Sequence, residues 1–104
     1  MLTQKQKETP YVHVFKLSTG EEIIANVIEE TLTTFVVKNP LQMVMGSRGP
    51  QFAPFMMMAD TGKSIPLSKA FIVTNVSPVA ELEGQYESIT SGIALPQKSS
   101  IITK

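Results

Sequence analysis

The chain has 104 residues, 42% of them hydrophobic, and its nine basic and nine acidic side chains cancel. That length supports one core rather than two, and that apolar content belongs to a folded domain. Balanced charge argues against the basic face that binds nucleic acid by bulk phosphate neutralisation, and does little to oppose self-association. The absence of cysteine removes disulfides, thiolate chemistry and cysteine-ligated zinc together.

Residues 1–10, MLTQKQKETP, are polar, lack the apolar core of a secretory signal and read as a loosely held terminus. No apolar run approaches the ~20 residues of a membrane span, so the expectation is a soluble cytoplasmic protein. The first strand is predicted over 12–17, with His13, Phe15 and Leu17 on one face and Val12, Val14 and Lys16 on the other. Ser18-Thr19-Gly20-Glu21 is a turn in which Gly20 is free to take a positive φ. The second strand, 22–29, is apolar on both faces (Ile23, Ala25, Val27 against Ile24, Ile28), which predicts cover on both sides or strong curvature.

A polar connection, residues 30–34, leads to a third strand over 35–45. Simple alternation puts Phe35, Val37, Leu41, Met43 and Met45 on one face, and Pro40 marks a bend, bulge or edge. Residues 46–50, GSRGP, read as a loop, and the fourth strand is predicted over 52–59, ending in three consecutive methionines. After a turn at 60–63, a fifth strand is predicted over 70–76. Ser77-Pro78 has the chemistry of a helix start, and Leu82, Tyr86, Ile89 and Ile93 follow at helical spacing, with Gly92 as the closing cap.

Few motifs carry chemistry. Thr61-Gly62-Lys63-Ser64 ends like a phosphate-binding loop, but the position of its first glycine is Met57, so it reads as a turn. His13, the one histidine, reads as a satisfied structural residue with no triad around it. Adjacent residues on a strand face opposite ways, so Glu21-Glu22 and Glu29-Glu30 are not carboxylate dyads. Met56, Met57 and Met58 read as packing residues rather than a metal site, since no histidine or cysteine accompanies them. No catalytic residue, metal ligand or cofactor is assigned, and an enzyme is not expected.

The stretch FKLSTGEEIIANVIEETLTTFVVKNP, with Gly20 at the hairpin, resembles the first motif of the Sm and Sm-like (LSm) family, and AFIVTNVSP falls where the second motif would be. The likeness covers about residues 10–78 and is nearest to the divergent Sm-like proteins of marine phages. It implies one mainly β domain over 1–104: a small, strongly bent five-stranded open barrel of Sm-like or SH3-like form, with a C-terminal helix and tail over 79–104. It also implies a homo-oligomeric ring of roughly five to seven subunits, strand four of each pairing with strand five of the next. That places Met56, Met57, Met58, Phe71 and Val73 near the subunit contact.

The family binds single-stranded RNA at the pore. Here the loop has Thr31 and Thr34 where the family has Asp and Asn, and Thr74-Asn75 where it has a basic residue and glycine. The RNA-contact set implied is therefore Thr31, Thr34, Lys38 and Asn75, with Arg48 as a further phosphate contact. Two functions follow: a ring that binds RNA or modulates RNA metabolism, and a structural or protein-interaction ring without nucleic-acid activity. Family analogy favours the first; neutral charge and the missing recognition residues favour the second.

Overall fold

A computed structural model of the chain describes residues 8–91. Their alternating apolar pattern resolves into six antiparallel strands: β1 (Tyr11–Leu17), β2 (Glu22–Glu30), β3 (Thr34–Gly46), β4 (Gly49–Pro54), β5 (Ile65–Ser68) and β6 (Ile72–Val76). A single helix, α1 (Ala80–Thr90), follows. The sheet order is β4-β3-β2-β1-β6, with β5 also on β3. The mainly β, open and strongly bent sheet with a C-terminal helix is the expected fold, but the fourth strand runs over 49–54 rather than 52–59, and β5 is a strand beyond the five expected.

Asn39 and Pro40 set where these two strands pair. Between the pairs Asn26↔Lys38 and Ile24↔Leu41, β2 spends one residue, Ala25, while β3 spends two, Asn39 and Pro40. Asn39 carries the extra residue in the left-handed region, at φ 53°, which asparagine tolerates better than most side chains. β3 therefore bends, and its two halves meet different partners: Thr34–Val37 pairs with β5, and Leu41–Gly46 with β4. Residues 55–64 loop out between the halves, anchored where the Asn39 N–H donates to Thr61 O (2.7 Å) and the Phe55 N–H to Pro40 O (3.0 Å). Met56–Met58 lie in this loop and not in a strand.

The inserted residue also overturns the simple alternation expected for β3. Phe35 and Val37 join the inner core of Phe15, Leu17, Ile23, Ala25 and Val27. Leu41 instead joins an outer cluster with Val12, Ile24 and Tyr86. Both faces of β2 are thus covered, as its two-sided apolar pattern requires. Across the outer face, one residue from each of β6, β1, β2, β3 and β4 forms the row Val76–Val14–Ile24–Leu41–Pro54.

Two further expectations change. The last strand begins at Ile72, because Lys69–Phe71 forms a 3₁₀ turn capped by the Ser68 hydroxyl. Helix α1 begins at Ala80 rather than at Ser77-Pro78. Its N-cap is Val79, which offers no side-chain bond, and Glu81 and Glu83 in the first turn complement the dipole instead. The predicted Gly92 cap and Ile93 lie outside the described residues. Among those described, no helix is long and apolar enough to cross a membrane.

Candidate functional site

The four residues implied as RNA contacts do not form one surface. Thr31 and Thr34 close the β2–β3 turn on themselves: their hydroxyls are 2.7 Å apart, the Thr34 N–H donates to Thr31 Oγ1 (2.9 Å), and the Thr31 N–H to Thr34 O (2.8 Å). Such a turn spends its polar groups on its own geometry. Lys38 pairs through Asn26 with Val12 and so belongs to the outer face. Asn75 pairs with Phe15 and so belongs to the inner face. Arg48 sits at the exposed tip of the β3–β4 hairpin, whose two-residue turn is made possible by Gly49 at φ 104°.

What the fold does bring together, at the end of the sheet holding the β2–β3 turn, is a series of rings that ends on an ion pair. Tyr11, His13, Phe15 and Phe35 succeed one another edge to face, with centroids 5.3, 5.5 and 4.9 Å apart. Lys69 Nζ lies 5.0 Å from the Phe35 centroid and 2.7 Å from Glu30 Oε2, while its backbone N–H donates to Thr33 O (2.8 Å). The turn before β6 is thereby tied to the β2–β3 turn by charge, ring and backbone together. His13 Nε2 stands 2.9 Å from Asn75 Oδ1. An amide oxygen only accepts, so Nε2 is the donor. Burial raises the Tyr11 hydroxyl above its usual range, and the charge of Glu30 adds to it.

The pairing of Lys69 with Glu30 went unremarked in the sequence because 39 residues separate them, and nothing local signals a pair at that distance. Tyr11 was within reach of the same alternation that places His13 and Phe15 on one face.

The sheet has two open edges. β6 pairs only with β1, and beside its free side Phe71 and Val73 are 65% and 67% exposed. At the opposite edge, formed by β4 and β5, the intervening loop presents Met57 and Met58 at 86% and 100% exposure, with Met56 half covered. Unpaired strand edges with exposed apolar side chains invite pairing with another chain.

No protein-family model matches this chain, and none of the curated proteins matches it.

Proposed function

We propose that this protein is a self-assembling module of Sm-like architecture, in which the β6 edge of one copy pairs with the β4/β5 edge of the next to form a closed homo-oligomeric ring. The observation that carries the reading is the pair of open edges at opposite ends of one bent sheet, both with large exposed apolar side chains. Two different edges make a head-to-tail contact, and a head-to-tail contact closes into a ring when its rotation permits. In this reading the ring serves as a structural or protein-interaction scaffold. The residues at its loop end are spent on internal bonds, and residues 8–91 hold all nine acidic side chains but only five of the nine basic ones.

Light scattering tests the assembly through complementary variants. F71K/V73K spoils the β6 edge and M57K/M58K the opposite one. Each variant alone is expected to be monomeric, while an equimolar mixture forms dimers, since each partner keeps one intact and complementary edge. A monomeric parent chain overturns the reading.

Binding of single-stranded RNA is the second reading, favoured by Lys69 at the meeting point of the two turns. Titration of labelled uridine-rich and adenine-rich oligonucleotides at low salt, where phosphate contacts are strongest, is expected to show binding that weakens in K69A. An assembled ring that binds neither oligonucleotide excludes it.

A further inference from the structure

The β3–β4 hairpin reaches past the rest of the sheet. Gln42 is the last residue of β3 to pair with β2, and from Met43 to Gly46 the strand pairs only with β4. A two-stranded ribbon alone is at most marginally stable in water, yet this arm turns an apolar side outward. The register Leu41↔Pro54, Met43↔Phe52, Met45↔Pro50 runs without a shift, so these six residues share one face while Gln42 and Gln51 take the other. Met45 stands out from the apolar face at 78% exposure.

The same face holds a depression of about 170 Å³ at the root of the arm. Val14, Ile24, Leu41, Met43, Phe52 and Leu82 line it, and Glu22 is its one charged lining residue. A space of this size suits one side chain, since an apolar cavity of about 150 Å³ holds a benzene. Leu82 forms the helix-side wall and is flanked by Glu81 and Glu83 in the first turn of α1. Glu83, with Tyr86, Asn26 and Asn39, lines a larger cleft of about 430 Å³ on the side of the depression away from the arm. The arm carries the opposite charge: Arg48 at its tip is the only charged residue from Leu41 to Pro54. The ion pairs among the described residues are Lys63–Asp60 and Lys69–Glu30, which include neither Arg48 nor these glutamates.

We infer that a second copy of the chain covers this face. Two arms lie antiparallel, so that Met45 of each fills the depression of the other and Arg48 of each meets Glu81 and Glu83 of the other. The surface is self-complementary. Met45 is two residues beyond Met43, roughly 7 Å along the strand, so a two-fold axis between them seats both methionines at once. An unbranched thioether fits an irregular apolar hollow readily. The tip then continues toward the body of the other copy, where the first turn of α1 stands beside the depression. The face is distinct from the sheet edges, so the contact neither needs edge pairing nor blocks it. One arm and one depression per copy belong to the small interfaces, under about 1,200 Å² in total, and such contacts are weak. Edge variants therefore remain monomers in dilute solution.

Sedimentation equilibrium of F71K/V73K reads this contact without edge assembly. Between about 10 µM and about 1 mM the mean mass is expected to rise toward two copies and level there. Adding M45K is expected to weaken the pairing by about tenfold or more, the effect of burying one large apolar side chain. In the same background R48E and E81R/E83R each oppose like charges and pair less than their parent. Their equimolar mixture recovers, because both contacts of a mixed dimer then join opposite charges. Circular dichroism checks that α1 is retained in E81R/E83R. A mass that stays at one copy up to about 1 mM, or that climbs past two, overturns the inference. So does an M45K variant that pairs as its parent does, or a mixture that fails to recover. The test holds whether or not the parent chain forms rings.

Discussion

On its inner face the sheet buries Phe15, Ala25, Val27 and Val37 completely by curling over itself, with β5 closing the side that β3 leaves open. On its outer face the cluster of Val12, Ile24 and Leu41 depends on a side chain from outside the sheet, Tyr86, which is 1% exposed on a helix whose Ile89 is 58% exposed. Burial of one large side chain contributes roughly 1.5–3 kcal/mol, so the inner core holds the domain together, whereas the outer cluster holds one helix onto it. The same polypeptide thus contains a cooperative unit and an appendage fastened at a point. That contrast accounts for the open cleft beside Tyr86, because a point contact leaves the rest of the helix face unfilled.

Substitution at the centre of each face tests the contrast. Phe15→Ala removes a fully buried ring in contact with Phe35 and is expected to destabilise the whole domain by about 3–5 kcal/mol, seen as a large fall in the urea midpoint. Tyr86→Ala is expected to cost less, roughly 2–3 kcal/mol, because the cluster around it is open at the edge and can collapse. The pattern matters more than the size. In Tyr86→Ala the helical circular dichroism is lost while amide protection of β1–β3 persists, and in Phe15→Ala the two signals fall together. Loss of both signals together in Tyr86→Ala would mean that the outer face is part of the cooperative unit after all.

Asn39 joins the two faces, and this explains what could and could not be read in the sequence. The β1–β2 hairpin was legible because Gly20 and a clean alternation are local signals, and the two-sided apolar pattern of β2 announced both clusters. The switch of β3 from inner to outer face was not legible. It rests on the backbone of one residue, and the alternation Phe35, Val37, Leu41 stays in step across it. The division of the β3 edge between β4 and β5 is a consequence of the same bend. The dispersal of Thr31, Lys38 and Asn75 was equally hidden, since the face a strand residue occupies depends on registers set by partners far away in the chain. Asn39→Val, which forces a β-branched residue to φ 53°, is expected to cost roughly 1–2 kcal/mol, while Asn39→Gly stays within about 0.5 kcal/mol of the parent. Urea titration separates them. Equal losses would show that the side chain rather than the left-handed backbone matters.

The smallest effect is a slope rather than a loss. The Tyr86 hydroxyl donates to the carbonyls of Lys38 and Asn39, at 3.1 and 2.8 Å, and burial raises its pKa far above the ordinary value of 10.0. Below about pH 10 both folded and unfolded chains keep the proton, and the group contributes no pH dependence. Above it the unfolded chain releases a proton that the folded chain retains, so stability falls as pH rises, by at most about 1.4 kcal/mol per unit for this one group. Tyr11 is shifted in the same direction and adds to the fall. Tyr86→Phe costs about 1 kcal/mol at neutral pH through the lost hydroxyl bonds, but it is expected to flatten the alkaline slope to the residue left by Tyr11. Urea midpoints measured between pH 8 and about pH 11 read both quantities. A slope unchanged by Tyr86→Phe would mean that the hydroxyl titrates alike in both states, and hence that the anchor of the outer face is reached by water. The helix would then be held by packing of the Tyr86 ring and not by its bonds to the bend of β3.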